Sequence, residues 1–226
     1  MLSVDEISKA QFLNLHDMKT ISSLEGIQYL TNLQSLDVST TSVSDLSPVK
    51  NSSLKRLDCR SSKVRSVDLT RYPNLEAFVC DNTSINSLDV SKNEKLNTLF
   101  ADSTSISNLD VTNNPNLEQL SCSNTGLMEL DVTHNPQLVT LDIGDTKVKT
   151  LDISKNPNLK QLSCYMTNIA ELDVTKNTKL TRLFCHDTTI KKLDLSNNLE
   201  LEMLRCGEIF EQGIRGLSII SKKHKI

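Results

Sequence analysis

Leucines recur every 21 residues along this chain, at Leu33, Leu54, Leu75, Leu96, Leu117, Leu138, Leu159, Leu180 and Leu201, with no insertion between them. A fixed period in this range marks a solenoid, in which one supersecondary unit stacks on copies of itself. Within the unit Leu117–Gln137 (LEQLSCSNTGLMELDVTHNPQ) the pattern reads L-x-x-L-x-C, then T-x-L, then L-D-V-T-x-N. Leu120 and Cys122 alternate with period two, which predicts a short strand with one face inward. Such a strand can pair only with its counterpart in the next unit, so a parallel sheet is expected. Leu130-Asp131-Val132 predicts a second extended or turn-like piece on the opposite wall, with Leu130 and Val132 buried and Asp131 outward. A 21-residue unit leaves little room for a helix there. The expected architecture is a right-handed superhelix, with a curved parallel sheet on the concave face and a thin, mostly non-helical convex wall.

A solenoid needs atypical end units, because a bare terminal rung exposes core. Residues 1–32 are read as an N-terminal cap. Ser3-Val-Asp-Glu6 fits a capping box and predicts a short helix over about Val4–Ala10; Leu13, Leu15, Ile21 and Leu24 belong to a first, longer repeat. Residues 33–206 form the repeat array. Residues 207–226 are read as a C-terminal cap (GEIFEQGIRGLSII) followed by a basic tail, SKKHKI.

Placed on the repeat, the six cysteines change meaning. Cys59, Cys80, Cys122, Cys164, Cys185 and Cys206 share one column with Val38, Ala101 and Ile143. That is an interior column, where free Cys acts as a small hydrophobe. Side chains of one column point the same way, a poor geometry for bridging. No C-x-x-C or His partner stands at zinc-ligand spacing.

Three polar columns invite chemistry. The Thr125 column (Thr41, Thr83, Thr104, Thr146, Thr167, Thr188, with Ser62 the exception) is expected to bond the backbone of the next loop. The Asn135 column (Asn93, Asn114, Asn156, Asn177, Asn198) reads as a turn signal. The Asp131 column (Asp68, Asp89, Asp110, Asp152, Asp173, Asp194) could line up oxygen ligands for Ca²⁺ or accept N–H bonds from the following turn. The second reading is favoured, because these loops lack the glycines of calcium-binding parallel β-rolls. No metal or other cofactor is expected.

Bulk properties exclude several function classes. A net charge of -3 over 226 residues does not suggest a nucleic-acid or polyanion binder. No apolar run approaches the roughly 18–20 residues that span a membrane, so membrane insertion by this chain is not expected. MLSVDEISKAQ lacks a signal-peptide layout, which fits either a cytosolic protein or an exported one whose signal has been removed. His16, His134, His186 and His224 are scattered, and no G-x-S-x-G, phosphate-binding loop or H-E-x-x-H occurs. An enzyme is therefore not expected.

Variation becomes informative on the outward side of the strands. The positions flanking the cysteine column, and the one beside the first leucine, are mostly small or acidic. Two places depart from this: Val79 with Phe100, and Tyr165, Arg182, Phe184, His186, Met203 and Arg205 near the C-terminal end. Exposed aromatic and Arg clusters characterise interaction hot spots. A basic run in one repeat (Lys55, Arg56, Arg60, Lys63, Arg65, Arg71) is either a solvated face or, through Arg56 and Arg60, a second contact.

The pattern L-x-x-L-x-[C/L]-x-x-[T/N]-x-[I/L]-x-x-L-D-V-[S/T]-x-N resembles bacterial leucine-rich repeats of the internalin type. It is closest to the 21-residue subclass in which cysteine replaces a core leucine to give a cysteine ladder, here Cys59, Cys80, Cys122, Cys164, Cys185 and Cys206. The segment ISSLEGIQYLTN (21–32) also resembles the opening repeat of such arrays, and the likeness covers about residues 10–206. Thr or Ser stands throughout where the family's usual turn asparagine is, so the loop hydrogen bonding should differ in detail. The resemblance implies an exported or cell-surface protein that uses its concave face for protein recognition or adhesion.

The expected function is a non-catalytic module that binds a protein partner through Arg56, Arg60, Val79, Phe100, Tyr165, Arg182, Phe184, His186, Met203 and Arg205, acting as a monomer. Alternatives are a structural spacer of a larger surface protein, or glycan binding by ring stacking of Phe100, Tyr165 and Phe184.

Overall fold

The computed structural model describes residues 8–207 and 218–220. Its strands are β1 Phe12–Asn14, β2 Ser35–Asp37, β3 Arg56–Asp58, β4 Ala77–Val79, β5 Thr98–Phe100, β6 Gln119–Ser121, β7 Thr140–Asp142, β8 Gln161–Ser163, β9 Arg182–His186, β10 Lys192–Asp194, β11 Met203–Gly207 and β12 Ser218–Ile220. Ten of them form one parallel sheet in chain order, β1 to β9 and then β11. β10 pairs in parallel with β12 in a separate two-stranded sheet. The helix expected near Val4–Ala10 falls mainly on residues 1–7, and most of 207–226 likewise lies outside the described residues.

Register follows the period. Leu36, Leu57, Phe78, Leu99, Leu120, Leu141 and Leu162 lie opposite one another on successive strands. The first turn is longer: Phe12 pairs with Ser35, an offset of 23. The inward leucines and all six cysteines are buried in one continuous core. On the opposite wall Leu130 and Val132 are buried and Asp131 is exposed. Helix is confined among the described residues to single 3-10 turns at Ile27–Tyr29 and Leu69–Arg71, apart from Ser8.

Two polar columns exchange the roles expected of them. The Thr125 hydroxyl donates to the Cys122 carbonyl of its own turn at 2.8 Å, and Thr41, Thr83, Thr104, Thr146, Thr167 and Thr188 repeat this bond three residues back. The hydroxyls of this column thus stay within their own turn. The asparagines make the crossing. The amide of Asn135 donates to the Val111 and Asn114 carbonyls of the preceding turn, both at 2.9 Å. Asn93, Asn114, Asn156, Asn177 and Asn198 do the same, so a fully buried amide ladder bolts each turn to the one before. The Val111 and Asn114 carbonyls also accept the Asn114 and Leu117 N–H of their own turn, so the Asn135 amide takes their second acceptor site.

The aspartates of the convex wall serve their own turns. The Asp131 carboxylate accepts from the Thr133 N–H at 2.8 Å and the Thr133 hydroxyl at 2.7 Å. The same pair of bonds holds Asp110 and Asp173. The hydroxyl bond first, then the backbone bond, keep these three carboxyls below the usual range. Among the described residues no three His, Cys, Asp or Glu side chains converge as metal ligands.

Candidate functional site

Period-two alternation sends the residues on either side of each inward leucine and cysteine to the outer face of the sheet. Register then aligns them into rows that cross the strands. One row runs Ser39, Arg60, Asp81, Asp102, Ser123, Gly144, Tyr165, His186 and Gly207, one position per turn. His16 heads this row: its Nδ1 lies 2.8 Å from the Ser39 hydroxyl. The Ser39 hydroxyl in turn donates to Asp37, so His16 supplies the proton of that contact. His16 was not aligned with this row in the sequence because the first turn is longer than 21 residues.

The C-terminal end of the face is where aromatic and basic side chains meet. The Tyr165 and His186 rings stack with centroids 5.1 Å apart and planes inclined by 6°. Tyr165 leans back over Gly144, and its hydroxyl reaches Ser123, two turns away. Burial, followed by the Asp142 and Asp102 carboxylates, pushes the Tyr165 hydroxyl up; the contact with Ser123 opposes this. Phe184 is half-buried on the neighbouring row, and the Arg205 guanidinium sits 5.7 Å from its ring centroid. A guanidinium above an aromatic face gains electrostatically and is held ready for a partner. Arg182 and Met203, paired in register, stand exposed beside them. The six C-terminal residues singled out in the sequence thus form one patch on β9, β11 and the turn after β8. Nδ1 of His186 is covered and has no hydrogen-bond partner among the described residues.

The N-terminal group fares differently. Val79 was expected to stand out as a contact, but it is only 7 % exposed. It points away from the core, yet it is short and lies in register between Asp58 and the larger Phe100, which shelter it. Phe100 is half-exposed and stands three strands away from Ser163 of β8, apart from the C-terminal patch. Arg56 is exposed, whereas the Arg60 guanidinium is engaged by the Asp58 carboxylate. Lys55 pairs with Glu76 at 3.2 Å, and Arg71 donates to the Ser47 carbonyl. Three of the six residues of the basic run are therefore committed to their own neighbours.

Between these groups the face is acidic. The Asp102 carboxylate accepts from the Ser121 hydroxyl at 2.6 Å and the Ser123 N–H at 2.7 Å, one turn on. Asp81 accepts from the Asp102 N–H at 2.8 Å, and Asp142 from the Gly144 N–H at 2.9 Å. Burial is the main cause that raises the Asp81 and Asp142 carboxyls, and the nearby Asp102 carboxylate adds to it.

Met166 joins the patch from outside the expected set. It follows Tyr165, is 52 % exposed and has φ 52°. The equivalent left-handed positions hold Thr40, Ser61, Asn82, Ser103, Asn124, Asp145 and Asp187. A polar column interrupted by a methionine was the signal available in the sequence. A long apolar residue in this conformation gives up backbone stability for an exposed side chain.

The buried thiols offer no reactive group. Burial first pushes every one of them up, Cys185 to about 12, and even the last of the column, Cys206, is raised. A thiolate is the nucleophilic form, and here it is disfavoured.

A ten-strand parallel sheet with 21-residue turns, an inward cysteine column and almost no helix decides the architecture. The fold is that of an internalin-type leucine-rich repeat. Solved leucine-rich-repeat structures support this. The functional domain of InlJ from Listeria monocytogenes, which includes a cysteine ladder, aligns with a TM-score of 0.54 and 24% identity over 91% of this chain and 65% of that one. The internalin InlF of the same species aligns with a TM-score of 0.81 and 19% identity, covering 92% of this chain and 70% of that one. The leucine-rich-repeat ectodomain of the Arabidopsis thaliana receptor kinase GASSHO1/SCHENGEN3, in complex with CASPARIAN STRIP INTEGRITY FACTOR 2, aligns with a TM-score of 0.73 and 16% identity, covering 84% of this chain and 26% of that one. The leucine-rich-repeat chain described here thus spans about 65% of the InlJ domain's length. No protein-family model matches the chain. No curated protein matches it either. Among the described residues no helix is long and apolar enough to cross a membrane.

Proposed function

We propose that this leucine-rich repeat is a non-catalytic protein-binding module whose partner docks on the C-terminal end of the sheet's outer face. One observation carries the reading: Tyr165, Arg182, Phe184, His186, Met203 and Arg205 meet on adjacent turns, next to a stretch of the face that is small and acidic. Rigid aromatic rings and a stacked guanidinium supply contact area at low entropic cost, the composition of a hot spot. Phe100 and Arg56 lie within the same face as outlying contacts. Resemblance to the internalins suggests a bacterial cell-surface or secreted protein acting in adhesion or receptor binding. The leucine-rich-repeat ectodomain in complex with CASPARIAN STRIP INTEGRITY FACTOR 2 is consistent with a binding role for this architecture.

The test uses the chain as bait against a surface-protein extract, with Tyr165→Ala/Phe184→Ala as the matched control. A protein retained by the first and lost by the second supports the reading. Equal retention by both removes the site assignment, and recovery of nothing specific favours a structural spacer. The flat Tyr165–His186 stack is also a platform on which a sugar ring could lie. Binding on a glycan array, lost with Tyr165→Ala, would favour that second reading.

A further inference from the structure

From Asp102 to Arg205 the charges of the outer face are sorted along the solenoid. Arg182 and Arg205 are exposed at the C-terminal end, and neither forms an ion pair among the described residues. Arg205 is instead held over Phe184, with its N–H groups free to fork onto a carboxylate. Asp142 lies on β7 and Asp102 just after β5, both on the same face and bonded only to N–H and hydroxyl donors. Unpaired guanidiniums and lined carboxylates on one surface impose a direction on anything that lies across it.

We infer that the partner presents an extended, charge-asymmetric segment: a carboxylate next to an aromatic or aliphatic side chain sits on Arg182, Arg205, Phe184 and Tyr165, and a basic side chain further along lies above Asp142 and Asp102. This rests on the docking reading given above and specifies its chemistry. Strands in a sheet are about 4.8 Å apart, so the five spacings from the Asp102 turn to Arg205 span about 24 Å. An extended chain advances about 3.3 Å per residue, which places the acidic and basic positions about seven residues apart. In the opposite orientation, like charges face each other at both ends. Desolvated like-charge contacts are a strong penalty, so orientation is set electrostatically while the rings supply area.

A random twelve-residue peptide library displayed on phage and panned against the whole chain tests the inference. The expected peptides carry Asp or Glu beside an apolar residue at one end and Lys or Arg about seven positions away. The Arg182→Glu/Arg205→Glu variant, which alters only exposed side chains and should keep its melting temperature, is expected to bind them at least ten-fold more weakly. Peptides that bind that variant unchanged but lose affinity for Tyr165→Ala/Phe184→Ala would overturn the charge assignment and leave the docking face standing. Peptides indifferent to both variants would overturn both. Recovery of no peptide would overturn the extended segment. A dimer of the chain alone, dissolved by Arg182→Glu/Arg205→Glu in sedimentation, would assign the face to a second copy of this chain instead.

Discussion

The ring of Tyr165 fills the space that Gly144 leaves open: a Cβ on Gly144 would lie 2.3 Å from Tyr165 Cε1. Position 144 is thus the seat of the ring that stacks on His186. Gly144→Ala is expected to expel Tyr165 outward and break the stack. The ring is the mobile end of a side chain, so the fold should survive with a loss below about 1 kcal/mol. Loss of the ring-current shift on the His186 imidazole protons, with a cooperative unfolding transition lowered by no more than that, would show it.

Asn135 belongs to the ladder that joins turns. Asn135→Ala removes two hydrogen bonds to the Val111 and Asn114 carbonyls, which keep their backbone bonds from the Asn114 and Leu117 N–H groups. A buried hydrogen bond contributes about 0.5–1.5 kcal/mol net, and two are lost here, so a loss of about 1–3 kcal/mol in urea unfolding is expected. A change below about 0.5 kcal/mol would show that the ladder does not hold the turns together.

The cysteine column makes the fold sensitive to alkali. Unfolded thiols ionise near pH 8.5, whereas burial holds the folded ones protonated, Cys185 up to about 12. The folded state therefore binds more protons above that pH. Its stability is complete below about pH 8.5 and falls as the pH rises toward the folded values, by about 1.4 kcal/mol per pH unit for each thiol. Cys122→Ala should make stability between pH 9 and 11 less steep by about one such share. Thiol-specific reagents should find the six cysteines unreactive in the fold and open to modification in denaturant.

Met166 is the costly member of the left-handed column. Met166→Asn, the residue at positions 82 and 124, relieves the strain. A gain of about 0.5–1 kcal/mol is expected, because Asn tolerates this conformation. If Met166 contributes to docking, the same variant binds the partner more weakly, so stability and affinity should move in opposite directions.

Much of this was legible in the sequence because a solenoid writes the same constraint once per turn. Leu117, Cys122 and Val132 repeat since each rung must bury the same surface, and they fixed period, strand and wall. What the columns do to one another was less legible. Thr125 read as a bond to the next loop and Asn135 as a turn signal, and only geometry shows that the hydroxyl closes its own turn while the longer amide crosses to the preceding one. Val79 pointed outward in the pattern but is sheltered by its neighbours in register. The seat at Gly144 and the exposed Met166 were visible as departures from their columns, but their meaning depends on Tyr165 beside them. His16 escaped alignment because the first turn is two residues longer than the rest.

The patch around Tyr165 and Phe184 is proposed to bind a protein. The most direct measurement is calorimetric titration of the captured partner into the chain and into Tyr165→Ala/Phe184→Ala. Hot-spot truncations cost about 2 kcal/mol or more each, so the variant should bind at least about ten-fold more weakly with its unfolding transition unchanged. Equal affinity for the two chains would contradict the account.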